Sequence, residues 1–340
     1  MINKEQSSRN ISLDIAKAIC ISLMVIGHSG CPDYLNRFIY MFHMPCFFFI
    51  SGCLLKETYV DNLKTGIFRK AKGSYWPFVK WTIIFIALHN MFTYCHIYSD
   101  GYSLKQTLEK LLRAITMTGS EQLLGGFWFL ISLFWASIFS LLYLGALKKF
   151  GRLTLIYKLG GVILALLCAC LFYLLPINLP SMFHEKTIMA TAFYMSGFVF
   201  KDIVWFKKKW AMTLIAIPAI VAVFTRISLD ATGVMCLIYF LISFAGIIGV
   251  VAASNFIAES RISAIFAIVG KTTLYILIFH FLSFKIVSYL YIVANGMPIE
   301  LLSQFPVLKV ESSWLWIAYS IVGVALPMAF WKLSRIKLSK

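Results

Sequence analysis

The chain has 340 residues, of which 60% are hydrophobic and only 13% charged, and its mean hydropathy is +0.83. Soluble domains lie near half apolar and a quarter charged, so this composition excludes a soluble globular enzyme and predicts one all-α polytopic membrane domain over residues 1–340. The net charge of +17 is no sign of a nucleic-acid partner, because the basic residues alternate with the apolar segments instead of gathering on one face.

Apolar segments fall at about 12–31, 38–55, 75–96, 127–147, 155–175, 187–205, 211–227, 233–254, 270–293 and 313–333. Each is near the ~20 residues needed to cross a ~30 Å hydrocarbon core, which predicts about ten transmembrane helices. The first run contains Asp14 and Lys17 and has no small-residue cleavage site after it, so it reads as a retained span and not a signal peptide. The segment Ile262–Val269 reads either as an amphipathic helix or as an early start to the ninth span. The eight cysteines show no zinc-type spacing, no metal is expected, and they read as small packing residues.

Lys and Arg set the orientation. The N-terminus, the even-numbered loops and the C-terminal tail carry 21 of them, from Lys4 and Arg9 to Lys337 and Lys340, against seven on the other side. Basic residues favour the cytoplasm, so both termini are expected there, in the inner membrane of a bacterium. Between 97 and 126, Leu104, Leu108, Leu111, Leu112 and Ile115 recur at helical spacing among Lys105, Glu109, Lys110 and Arg113. That pattern predicts an amphipathic helix on the outer surface, either roofing a cleft or resting on lipid headgroups.

Ionisable groups inside apolar spans are costly and usually face a protein interior. The first two segments hold Asp14, Lys17, His28 and His43. Lys17 and His28 are eleven residues apart, three helical turns, so they share one face about 16 Å apart along the axis. The short connection through Cys31, Pro32 and Asp33 brings His28 and His43 to the same end. Two imidazoles there offer a general base near working pH, and each can equally be a packed histidine. Asp14 and Lys17 can pair across one turn, while Lys17 near a span end can also snorkel to water. Arg69, Lys70 and Lys72 precede the third segment, with Lys80 further along it. They serve either as topology determinants or as a site for phosphate oxygens. His280 and Lys285 lie in the ninth segment, and Arg226 and Asp230 read as an outer-loop ion pair.

The runs Ser12-Leu-Asp-Ile-Ala-Lys-Ala18, Val25-Ile-Gly-His28, Phe42-His-Met-Pro-Cys-Phe-Phe-Phe49 and Ser51-Gly52 resemble the integral-membrane acyltransferase-3 family, nearest its fucose 4-O-acetylase-like carbohydrate O-acetyltransferases. The likeness continues through Arg69–Pro77, Trp128–Leu130 and Gly270–His280. Lys17 and His28 match the family's first-helix pattern of a basic residue, ten intervening residues and a histidine. Arg69 and Lys72 stand at its Arg-x-x-Arg pair, with Lys in place of the second Arg, which removes one planar fork.

The resemblance implies an O-acyltransferase whose donor is acetyl-coenzyme A or another acyl-coenzyme A, succinyl included. Its phosphates would lie on Arg69, Lys72 and Lys80, and its acyl group would go to a hydroxyl of a cell-surface or lipid-linked carbohydrate. It also implies that His28 is base or transient acyl carrier and that Lys17 positions the donor. Ser51, Tyr275 and backbone amides are candidate oxyanion donors. The competing reading is a transporter or flippase for a polysaccharide or lipid-linked precursor, although no inverted repeat is visible.

Overall fold

The computed structural model describes residues 11–174, 184–201, 208–310 and 314–336, and these contain helices and no strand. In chain order the first helices are α1 (Ile11–His28), α2 (Asp33–Tyr40), α3 (His43–Cys53), α4 (Glu57–Asp61) and α5 (Leu63–Lys70). There follow α6 (Trp76–Tyr94), α7 (Leu104–Ile115), α8 (Trp128–Lys149), α9 (Leu155–Leu171) and α10 (Glu185–Val199). The remainder are α11 (Ala216–Phe224), α12 (Val234–Ala258), α13 (Ser263–Lys271), α14 (Thr273–Ala294) and α15 (Leu315–Ile336). Among the described residues, five helical stretches are long and apolar enough to cross a membrane: Ile11–His28, Gln122–Lys149, Val234–Ala258, Thr273–Ala294 and Leu315–Arg335. The others in the expected set are shorter or less apolar. The ends of the expected spans 155–175, 187–205 and 313–333 lie outside the described residues, as do Lys4, Arg9, Lys207, Lys337 and Lys340 of the basic count.

The second expected span is not one helix. It breaks at Met41 and Phe42 into α2 and α3. The break frees backbone carbonyls, and three side chains take them up. His43 Nδ1 reaches the Ile39 carbonyl at 2.7 Å, Tyr239 donates to Tyr40 O at 3.1 Å, and Ser243 donates to Met41 O at 2.5 Å. Irregular backbone in an apolar interior persists only where its polar groups are satisfied in this way. A second irregularity, a π-helical turn over Ala71–Tyr75, joins α5 to α6. Such turns concentrate at functional sites. The segment after Ile262 is a helix in its own right, α13, separate from α14.

The expected amphipathic helix forms as α7, closed by a capping box between Ser103 and Gln106. Most of its apolar face does not pack on the protein. Leu104, Leu108, Leu112 and Ile115 are exposed, and the Tyr75 hydroxyl donates to the Ile115 carbonyl at 2.9 Å. Thus α7 runs back along α6 with its leucines outward, the arrangement of a helix whose apolar face meets lipid.

The loop around it is pinned by His89. That ring lies 2.8 Å from a Glu121 carboxylate oxygen through Nδ1 and 2.9 Å from the Asp100 carbonyl through Nε2, between the rings of Tyr98 and Tyr102. Burial and the Glu121 carboxylate push the Tyr98 and Tyr102 hydroxyls well above their usual range. This clamp orders residues 95–121 and hence the 3₁₀ turn Gln122–Phe127 that leads into α8.

Helices α3 and α10 cross at backbone contact. A Cβ on Gly52 would meet the Tyr194 carbonyl, and one on Gly197 would meet that of Phe49. Small residues at such a crossing let two helices approach without a side-chain layer between them. Gly197→Val is therefore expected to destabilise the detergent-solubilised protein by about 1–3 kcal/mol through overpacking. Gly73→Ala, where a Cβ meets nothing within 4 Å, should leave the thermal midpoint unchanged. Thermal unfolding of both variants checks the contrast.

Candidate active site

Three cavities lie in a row through the helices. The first, the basic mouth, has an empty volume of about 690 Å³ and is lined by Arg69, Lys70, Tyr59, Ser51 and Gly73, among others. The second, of about 680 Å³, shares Ser51, Gly73 and Leu133 with it and carries Lys17 on its wall. The third, of about 670 Å³, shares Met24, Met44 and Leu277 with the second and is lined by His28, His43, Tyr40, Trp128, Lys186 and Asp230. A Ser–Gly–Leu set is thus common to the basic mouth and the middle cavity, and a Met–Met–Leu set to the middle cavity and the histidine chamber. The helix irregularities flank this path: Gly73 sits in the π turn, and Tyr40 and His43 border the α2–α3 break.

Lys17 and His28 do face one path, Lys17 in the middle cavity and His28 in the outer one. Lys17 Nζ pairs with Asp14 Oδ1 at 3.0 Å, and the Asp14 carboxylate is buried. His28 and His43 come together, as the short connection requires. Tyr40 lies between them, its hydroxyl 3.4 Å from His28 Nδ1 and its ring 5.1 Å from that of His43. His43 differs from His28 in that its Nδ1 is committed to the Ile39 carbonyl.

Of the basic cluster, Arg69 and Lys70 line the mouth, while Lys72 and Lys80 are exposed and are not among its lining residues. Lys80 instead lies over the Trp81 ring. Burial lowers the Lys70 ammonium to about 8, and it sits 5.3 Å above the Tyr194 ring. Ser51 lines both inner cavities and donates to the Phe47 carbonyl at 2.8 Å.

Sequence spacing does not anticipate three placements. His280 stacks on His28 with ring centroids 5.6 Å apart; its only linear signal is that it too is a histidine in an apolar run. Lys285 finds its partners in the carbonyls of Leu302 and Gln304, at 2.7 and 2.6 Å, which makes it a tie between α14 and the following loop. Arg226 and Asp230 do not pair with each other. Arg226 bonds Asp33, and Asp230 bonds Lys186 at 3.1 Å on the wall of the histidine chamber. The loops bring those partners together from distant parts of the chain, so sequence proximity misleads.

Long apolar helices enclosing an interior path lined by ionisable groups define a helical membrane protein with a built internal site. The acyltransferase-3 family model, described as an acyltransferase domain, matches residues 10–332. The chain belongs to that family. It is also similar to the nodulation protein NolL of Mesorhizobium japonicum, at 29% identity over 161 residues. That match covers 44% of this chain and 39% of NolL, so the chain aligns with well under half of that relative. No solved structure matches the chain.

The shift at Lys70 has a direct consequence. Its amine loses its proton as the pH rises through about 8, whereas ordinary lysines do so near about 10.4. An acylating reagent such as N-hydroxysuccinimidyl acetate should therefore label Lys70 ahead of the exposed lysines at pH 8–9, and this preference should vanish at pH 6. Peptide mapping by mass spectrometry checks it.

Proposed function

We propose that this protein is a membrane O-acyltransferase that moves an acyl group, acetyl in the first instance, from acyl-coenzyme A to a hydroxyl of a cell-surface or lipid-linked carbohydrate. The observation that carries the reading is the row of cavities joining the basic mouth to the histidine chamber. In this reading that mouth and both termini lie on the cytoplasmic side of a bacterial inner membrane, with about ten crossings in all, which the distribution of basic residues supports. Coenzyme A is a long molecule with its phosphates at one end and its thioester at the other. Such a donor fits a path that is cationic at one end and carries a nucleophile at the other.

In this reading Arg69 and Lys70 take the phosphates, with Lys72 and Lys80 on the exposed flank adding to the field that attracts them. An anionic phosphate beside Lys70 would restore the charge that burial weakens. Lys17, oriented by Asp14, holds the donor at mid-path. The acyl end passes Met24, Met44 and Leu277 to reach His28, which acts as base or acyl carrier. His43 holds the α2–α3 turn and so keeps Tyr40 against His28. The acceptor enters the chamber past Trp128, Lys186 and Asp230. An aromatic face beside a closely paired acid and base suits a sugar ring, which offers C–H groups on its face and hydroxyls on its rim.

Two variants test this. His28→Ala should lower acylation of surface glycans about 10²- to 10⁴-fold, the range for loss of a base or nucleophile. Mass spectrometry of glycans from cells with the wild type, the variant and no protein reads it, alongside acetyl-coenzyme A consumption by membranes. A glycan of the same mass in all three would overturn the proposal. Gly73→Trp places an indole in the passage between the two inner cavities, where a Cβ has open space. It should block thioester consumption while leaving the thermal midpoint near that of the wild type.

A further inference from the structure

His280 is fully buried, and its hydrogen bonding is half complete. Nδ1 lies 3.0 Å from the Ile276 carbonyl and 3.1 Å from that of Leu277. A carbonyl only accepts, so Nδ1 carries the proton and Nε2 presents a lone pair. Nε2 has no hydrogen-bond partner among the described residues. Burying an acceptor without a donor costs free energy, and a native structure that keeps such a group needs a reason for it.

The neighbours supply no donor. Phe281 and Phe284 border the ring, at centroid distances of 4.0 and 5.8 Å. The His28 ring lies 5.6 Å away between centroids at an interplanar angle of 29° and is not a hydrogen-bond partner of Nε2. On the Cε1 side, next to Nε2, stands Gly126, where even an added Cβ would be 3.7 Å from that carbon. Gly126 and Leu277 are also part of the histidine chamber's wall. His280 is not itself a lining residue of the chamber, but it lies beside His28 and against the Gly126 part of its wall; no described side chain gives Nε2 a donor, and a substrate hydroxyl beside His28 is the donor the reaction brings. In acyl transfer, the substrate group that must give up a proton beside His28 is the acceptor hydroxyl.

We infer that His280 is the general base for the acceptor hydroxyl and that His28 is the acyl carrier. The inference rests on the acyl-transfer reading above and assigns separate roles to the two stacked imidazoles. In the first step the unprotonated nitrogen of His28 attacks the thioester carbon. The C–N bond forms, the C–S bond breaks, and coenzyme A leaves as its thiolate. In the second step the acceptor hydroxyl passes its proton to His280 Nε2 as its oxygen attacks the acyl carbon. The C–O bond forms, the C–N bond breaks, and the electron pair returns to His28. The proton on His280 then moves to the thiolate, directly or through water, so that thioester and alcohol have become ester and thiol.

The two steps can be read separately. Purified wild-type, His28→Gln, His280→Gln and His280→Asn proteins are given acetyl-coenzyme A with isotopically labelled coenzyme A. Exchange of label into the thioester reports the first step alone. The same proteins expressed in cells report both steps through the mass of the surface glycans. Both His280 variants are expected to lose glycan acylation by about 10²-fold or more, while exchange continues at the wild-type rate and an acetyl group is found on His28. His28→Gln is expected to abolish both.

Unchanged glycan acylation in the His280 variants would overturn the inference. So would exchange that falls in step with acylation in a variant that keeps the wild-type thermal midpoint. A measurement without any variant serves if both His280 proteins fail to fold: wild type quenched after donor alone must carry acetyl on His28, and its absence also overturns the inference. A wild type that neither exchanges nor acylates defeats the acyl-transfer reading itself.

Discussion

Backbone polar groups cannot be left bare in an apolar interior, and the architecture of this site follows from how that demand is met where the helix between α2 and α3 is broken. Three consecutive carbonyls, of Ile39, Tyr40 and Met41, are taken up by His43, Tyr239 and Ser243. Two of those donors come from α12, some 200 positions along the chain. The break turns Tyr40 towards His28 and opens the chamber wall. Pro45 cannot give an N–H to the Met41 carbonyl, so a continuous helix is disfavoured there and that carbonyl is satisfied by Ser243 instead. The π turn at Ala71–Tyr75 performs the corresponding service at the other end, presenting Gly73 to the passage between the inner cavities.

The same constraint governs the charges. Several buried ionisable groups have a partner that makes their burial tolerable: Asp14 with Lys17, Lys285 with two carbonyls, His89 with Glu121. In a medium of low dielectric such partners are what keep buried charge affordable. The Nε2 of His280, like the hydroxyls of Thr82 and Tyr194, has no hydrogen-bond partner among the described residues, and of these three it is the one beside His28. The clamp on His89 belongs to the first group, yet it reaches the site indirectly. By fixing the loop before α8 it sets where Gly126 and Trp128 meet the histidine chamber.

The class of the protein and part of the candidate site's geometry were legible in the linear chain. Composition and apolar run length depend only on which residues are present, so the helical membrane character needed no tertiary information. Lys17 and His28 were readable for a similar reason: helical periodicity is local, and two polar groups eleven positions apart on one helix must share a face. The Asp14–Lys17 pair and the capped helix α7 are local in the same sense. The broken second span had one local sign, Pro45, which has no N–H to give the Met41 carbonyl, but the hydroxyls from α12 that stabilise the break were not legible. Arg226 and Asp230 were misread as mutual partners, because nearness in sequence says little about which loop a side chain meets.

Taken by itself, then, the sequence determined the solvent this protein lives in, the helices that fill it, the face shared by Lys17 and His28, and membership of an acyltransferase family through motifs carried on short stretches. Tertiary structure alone decided that Lys70 joins Arg69 at the basic mouth, that Asp230 and Lys186 flank the chamber, and that His280 lies against His28. The physical reason is the range of the interactions involved. Hydropathy and helical phase act over a few residues, whereas stacking two imidazoles from α1 and α14 depends on how whole helices pack.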